Sequence, residues 1–223
     1  MNMVCLKRMK NLLFFKNSKL GVLMKIGIDI DGVIFNFERE ILTYAELFNF
    51  LELKRDGEVN RQEHYLKDRF GWSDKERSVF FNKYALKLTE QTAFMAGAVD
   101  IINMLKADGH KLIIVSARGE LIPEMKDVAL KKLESAGLVF DKYYFKQTDK
   151  LKVAIDEKLD FMIDDVYQNC KRLSENGVKT IYFKDVDAKD LKQSETLTKV
   201  SNWGEIYRII KTAADENKSK KKK

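Results

Sequence analysis

From residue 24 the chain reads Met-Lys-Ile-Gly-Ile-Asp-Ile-Asp-Gly-Val, short apolar residues that end in a sharp polar turn, which predicts a buried strand closing on a loop. Four more short runs rich in β-branched or aromatic residues predict strands at 111–116 (KLIIVS), 142–145 (KYYF), 160–163 (DFMI) and 178–183 (VKTIYF). Between them the apolar positions change to helical spacing. Val99, Ile102 and Leu105 repeat before a stop at Gly109, and Met125, Val128, Leu130 and Leu133 lead to a stop at Gly137. Further helices are predicted over 150–158, 166–175 and 203–214. Strands alternating with helices predict βαβ units, and hence an α/β fold with a parallel sheet covered by helices on both faces.

The alternation stops between residues 36 and 95. Helical patterns fill that stretch, at 38–51, at 61–69, and from Ser73-Asp-Lys-Glu76, a capping-box pattern in which the serine and the glutamate bond each other's backbone. The reading is a helical cap over 36–95 inserted after the first strand of a core made of 24–35 and 96–214. Met24-Lys25 looks like a natural start, so residues 1–23 are expected to be a disordered extension from an upstream start codon, and 215–223 a disordered basic tail.

Composition narrows the class. At 223 residues, 45% hydrophobic and 34% charged, the chain has enough apolar material for one sizeable core and is not globally disordered. The net charge of +7 is terminal: Lys7, Arg8, Lys10, Lys16 and Lys19 lie before residue 25 and five lysines lie in 218–223, and without those ten the remainder holds 31 basic against 34 acidic residues. A terminal lysine run reads as a solvated end, so no specific nucleic-acid partner is expected. The apolar patches at 12–15 and 20–24 are split by Lys16 and Lys19, which leaves neither a signal peptide nor a membrane span. Cys5 and Cys170 make no disulfide framework or zinc spacing, and the expected location is cytoplasmic.

In an open parallel sheet, ligands bind where the strands end at their carboxyl side. The predicted strand ends carry Asp29-Ile-Asp31-Gly32, Ser116-Ala117-Arg118-Gly119 and Asp164-Asp165, and Lys150 opens the helix leading into the fourth strand. Carboxylates gathered in this way repel one another unless a divalent cation neutralises them, and hard oxygen donors favour magnesium. With such a cation and a lysine beside a phosphate, one aspartate can attack phosphorus, and a second, two residues on, can protonate the leaving oxygen and then activate water. A calcium loop starting at Asp29 would reach Glu40 at its twelfth position, but Val33 and Phe37 stand where oxygen ligands belong, which excludes it.

The three strand ends and Lys150, taken in chain order, resemble the four motifs of the haloacid dehalogenase (HAD) superfamily of aspartate-nucleophile phosphatases over about residues 25–210. The resemblance implies a HAD-like, Rossmann-like core, Asp29 as nucleophile and Asp31 as acid and base with its backbone carbonyl on the metal. It also implies Ser116, Ala117, Arg118 and Lys150 around the substrate phosphate, and Mg2+ held by Asp29, Asp31 and Asp165 with Asp164 supporting. An aspartate at position 31 points to phosphate esters rather than dehalogenation. Phe94-Met-Ala-Gly97-Ala-Val, Ser116-Ala-Arg118, Phe140-Asp-Lys142 and Asn202-Trp203-Gly-Glu-Ile206 look like the 5′-nucleotidase, deoxyribonucleotidase-like branch, with a small phosphorylated substrate such as a nucleoside monophosphate. Alternatives are a sugar-phosphate phosphatase or phosphomutase, or a non-catalytic binding module on the same scaffold.

Several residues have two readings. Lys150 is favoured as functional over Lys146 and Lys152, and Arg118 reads equally as surface charge or phosphate ligand. The cap aromatics Phe70, Trp72, Phe80, Phe81 and Tyr84 read as cap core, with Trp72, following Gly71, the one expected to swing toward the cleft and stack a base. His64 and His110 read as surface residues, Cys170 as a packing residue, and Asp185 and Asp187 as loop acids.

Overall fold

The computed structural model describes residues 22–184 and 193–220. Cys5, Asp185, Asp187 and nearly all of the N-terminal extension therefore lie outside the described residues. Six parallel strands form one sheet in the order β3-β2-β1-β4-β5-β6. They are β1 (Lys25–Ile28), β2 (Lys111–Val115), β3 (Lys142–Tyr144), β4 (Phe161–Asp164), β5 (Thr180–Phe183) and β6 (Leu197–Val200). The chain begins in the middle, runs outward through β2 and β3, and returns to place β4 on the other side of β1. This reversal makes the ends of β1, β2 and β4 neighbours at the crevice where such sheets bind ligands.

Helices cover both faces. Ile26, Ile28, Ile30, Leu112, Ile114 and Ile163 pack on one side with Ala98, Ile102 and Leu105 of α4 (Ala98–Ala107) and Trp203, Ile206 and Ile210 of α8 (Trp203–Lys220). Ile113, Val115 and Met162 face the other way, onto Val153 and Ala154 of α6 (Leu151–Glu157) and Leu173 of α7 (Tyr167–Glu175). The remaining core helix is α5 (Glu124–Ser135). Gly27 permits the close approach on that second face, because a Cβ there would lie 2.5 Å from Leu159 Cδ1 and 2.6 Å from Met162 Sδ.

The cap consists of α1 (Phe37–Leu51), the short α2 (Leu66–Phe70) and α3 (Asp74–Gln91). The capping box at Ser73 is formed: Ser73 N donates to Glu76 Oε2 at 2.8 Å and Glu76 N to Ser73 Oγ at 3.3 Å. Phe48, Phe70, Trp72 and Phe80 make the cap's own core. The two linkers between cap and core are tied to each other, with Asn36 N donating to Ala93 O at 2.9 Å and Met95 N to Ile34 O at 2.8 Å.

Four local expectations are corrected. The helix expected at 61–69 reduces to α2, because residues 61–65 are polar and carry no apolar stripe to bury. β6 was not foreseen, since Leu197 and Val200 bury while Thr198 and Lys199 between them do not, a pattern unlike a core strand. The expected disordered tail is helical through Lys220, as α8 buries Ala214 and then runs on. His110 is buried and its Nδ1 accepts a bond from Met24 N at 3.2 Å.

Burial holds the His110 imidazole below its ordinary pKa. The folded chain thus binds that proton more weakly than the unfolded one. The contribution of His110 to stability is full above the unfolded value of about 6.5 and is lost as pH falls through the lowered folded value. We expect His110→Gln, which can accept the same bond without titrating, to lose less melting temperature than the wild type as pH falls below about 6.5. An unchanged profile in the variant would assign the acid sensitivity to other groups.

Candidate active site

Backbone geometry brings the strand ends together. Asp29 N donates to Ile163 O at 3.0 Å, which seats Asp29 beside Asp164. After Asp31 the chain turns at Gly32, with φ of +67°, and closes the turn with Gly32 N on Phe35 O at 3.0 Å. A Cβ at position 32 would stand 2.0 Å from Asp165 Oδ2, so only glycine lets the two loops meet here. Ser116 N is held by Tyr144 O at 2.9 Å, and the Ser116 hydroxyl accepts Arg118 N at 3.3 Å, which fixes the loop after β2.

Lys150 sits at the start of α6 and reaches back between the carboxylates. Its Nζ lies 2.7 Å from Asp29 Oδ2 and 2.6 Å from Asp164 Oδ2, with all three residues buried. Asp164 is fully engaged, since its Oδ1 also accepts Val166 N at 2.8 Å. Asp29 Oδ1 is different: it is buried and, among the described residues, has no hydrogen-bond partner. Carboxylate oxygens of Asp29, Asp164 and Asp165 all lie within 4.8 Å of one another. Three buried carboxylates and one ammonium leave an excess of negative charge, and a buried acceptor without a donor is costly to maintain. Both features suit a divalent cation with oxygen ligands.

The protonation equilibria show the same strain. Burial, reinforced by the charges of Asp164 and Asp29, pushes the Asp165 carboxyl well above its ordinary value. Burial likewise raises Asp164 against the pull of Lys150. For Lys150, burial opposes the charge, but Asp164 and Asp29 outweigh it and raise its pKa.

Asp31 adds no carboxylate oxygen to this cluster, so any metal contact from it falls to its backbone carbonyl. Its carboxylate turns instead to Arg118, whose Nε lies 3.1 Å and 2.9 Å from the two oxygens. Burial raises the Asp31 pKa while Arg118 pulls it down. The side chain is 33% exposed and lines the cavity. Arg118 is no surface charge: it is buried, donates to Thr89 Oγ1 of α3 at 2.9 Å, and lies over the rings of Phe37 and Phe35 at 4.7 Å and 5.2 Å. It joins acid, core and cap in one contact set.

The cluster opens into a cavity of about 310 Å³ between core and cap, bordered by Asp29, Asp31, Ser116, Ala117, Lys150 and Asp165. Lys146 is exposed and is absent from this set. The cap side corrects two expectations. Trp72 does not reach the cleft; it is buried, donates from Nε1 to Asn49 Oδ1 at 3.0 Å, and stacks on Phe70. Of the five cap aromatics, Phe81 alone borders the cavity. His64, read as a surface residue, borders it too, and burial holds its pKa low. Its sequence neighbours, polar Glu63 and exposed Tyr65, give no signal of this, because the position comes from how the loop before α2 folds over the crevice.

No protein-family model matches the chain, and no curated protein matches it. Solved structures do. A predicted phosphatase from Clostridium acetobutylicum superposes with a TM-score of 0.62 over 86% of this chain and 100% of its own, at 13% identity. A haloacid dehalogenase-like hydrolase from Streptococcus pneumoniae gives 0.57 over 73% and 85%, at 17% identity. The fold is that of the HAD-like hydrolases. The HAD-hydrolase YfnB from Bacillus subtilis was crystallised bound to magnesium and gives 0.57 over 84% and 98%, at 14% identity. At such identities the likeness speaks for the HAD-like fold, and the chemistry must be argued from this chain's side chains. No helix among the described residues is long and apolar enough to cross a membrane.

Proposed function

We propose that the protein hydrolyses small phosphomonoesters through an aspartyl-phosphate formed on Asp29. The observation that carries this reading is the state of Asp29 at the end of β1: Oδ2 is fixed by Lys150, Oδ1 is uncommitted, and the residue borders a closed-over cavity. Asp29, Asp165 and the Asp31 backbone carbonyl are the groups that would hold Mg2+, with Asp164, whose oxygens are taken, acting as support. Such a cation supplies charge neutralisation between a phosphate dianion and the attacking carboxylate.

In the first step an Asp29 oxygen bonds to phosphorus, the ester P–O bond breaks, and the leaving oxygen takes a proton from Asp31. In the second step water attacks phosphorus, Asp31 takes its proton, and inorganic phosphate leaves with Asp29 restored. Lys150 and the Ser116 hydroxyl offset charge on the phosphoryl oxygens. Arg118 holds Asp31 at the mouth of the reacting centre, where burial raises the Asp31 pKa against the pull of that arginine.

A panel of phosphomonoesters with magnesium and phosphate detection tests the reading, and release from none of them would overturn it. Nucleoside 5′-monophosphates belong in the panel because of the sequence likeness to 5′-nucleotidases, with Phe81 as the cap aromatic able to meet a base. Sugar phosphates belong there too, and equilibration of one without phosphate release would favour a mutase. The acid role of Asp31 has its own signature. Asp31→Asn should lower kcat/KM by roughly 10²- to 10⁴-fold for an alkyl ester such as glycerol 2-phosphate, and far less for p-nitrophenyl phosphate, whose leaving group needs no proton. Equal losses on both would remove Asp31 as the leaving-group acid.

A further inference from the structure

The four site motifs meet only the phosphate, so the leaving group has to be selected by other groups bordering the same cavity. Three of these are strong cations, and two are already matched. Lys150 is held by Asp29 and Asp164, and Arg118 by Asp31. The third is Arg77, in the first turn of α3, which borders the cavity from the cap. It is half-buried, and among the described residues its guanidinium makes no ion pair and no hydrogen bond; it lies over the Phe81 ring at 5.7 Å.

The acids beside it on the cap are engaged elsewhere, and Glu120, which borders the cavity from the core, is exposed and makes no ion pair with Arg77 among the described residues. Asp74 pairs with Lys67 at 2.7 Å and Glu76 with Arg55 at 2.7 Å, both on the same helix turn as Arg77. Glu38, the cap acid that borders the cavity, pairs with Lys184 at 2.5 Å. The cap wall of the cavity includes the apolar Ile41, Leu42, Leu66 and Phe81, the last directly beneath the Arg77 guanidinium. An arginine cannot shed its charge, and beside apolar walls it gains most from an anion that it can grip with two parallel bonds.

We infer that Arg77 binds a second anionic group, a carboxylate or a phosphate, on the leaving group of the substrate, which is then the phosphomonoester of a small organic acid or a bisphosphate. This rests on the phosphatase reading and gives it a substrate class. His64 borders the same space and can donate a ring N–H to such a group. Nucleoside monophosphates carry no second anion and would leave Arg77 unmatched.

The test uses binding, so that it does not depend on turnover. With the full-length protein in magnesium buffer, calorimetry compares phosphonoacetate, 3-phosphonopropionate and 4-phosphonobutyrate with alkylphosphonates of matched length. At least one carboxylate should bind about tenfold or more tightly than its matched alkylphosphonate. Arg77→Ala should abolish that preference and leave the alkylphosphonate affinity unchanged, and Arg77→Lys should keep part of it. The inference is overturned if no carboxylate is preferred, if the preference survives in Arg77→Ala, or if that variant loses both series equally. A protein that shows the preference yet hydrolyses no phosphomonoester would keep the subsite and lose the phosphatase.

Discussion

Asp29→Asn should lower turnover by at least about 10³-fold while leaving the fold intact, because an amide in the same place keeps the shape and loses the nucleophile. The variant also removes one of three clustered buried carboxylates, so in the absence of metal its melting temperature should not fall, and relief of the repulsion with Asp164 and Asp165 should tend to raise it. Activity assays and thermal melts on the same preparation separate the two effects. A folded variant with near wild-type turnover would remove Asp29 from the chemistry. A variant inactive because unfolded would assign Asp29 a structural role through its ion pair with Lys150.

Lys150→Met should be the most destabilising single change at the site. It leaves Asp29 and Asp164 buried without their shared counter-ion, and breaking a buried pair from one side costs about 3–5 kcal/mol. Urea unfolding should show the midpoint falling accordingly. Two conditions should restore part of the loss. Magnesium replaces the missing positive charge, so it should stabilise the variant more than the wild type. Lower pH should also help: Asp164 and Asp165 have raised pKa values in the folded chain, so protonation favours the folded state as pH falls through those values. Activity should remain low under both conditions. An unchanged midpoint would mean that the lysine contributes little to holding these carboxylates together.

Much of the fold was legible because it depends on local pattern. The near-continuous apolar runs of β1, β2, β4 and β5, buried on both faces, can only be strands of a covered sheet, and the apolar stripe of α4 and the serine cap of α3 mark their own elements. β6 escaped because Leu197 and Val200 bury on opposite faces with the half-buried polar Thr198 and Lys199 between them, a pattern that is neither an alternation nor an apolar run. α2 was overdrawn because helical propensity at 61–65 has no buried face to reinforce it.

The site divides along the same line. That Asp29, Asp31, Ser116, Lys150, Asp164 and Asp165 come together was legible because a parallel sheet carries its strand ends to one rim. What escaped was set by the packing of cap on core. Trp72 was expected to face the cleft, yet its indole N–H finds Asn49 inside the cap. His64 and Arg77 were not expected to matter, yet both border the cavity. Arg118 could be placed beside the second strand end, but its grip on the stretch from Asp31 to Phe37 and on Thr89 joins three segments far apart in the chain.

The central claim is that hydrolysis proceeds by two displacements at phosphorus with Asp29 between them. The stereochemical course measures this directly and needs no intermediate to accumulate. A phosphomonoester made chiral with three oxygen isotopes, turned over in magnesium buffer with an alcohol as acceptor, gives a product whose configuration counts the in-line displacements. Two displacements predict retention. Inversion would mean that the acceptor attacks the substrate in one step, and the aspartyl-phosphate would have to be abandoned.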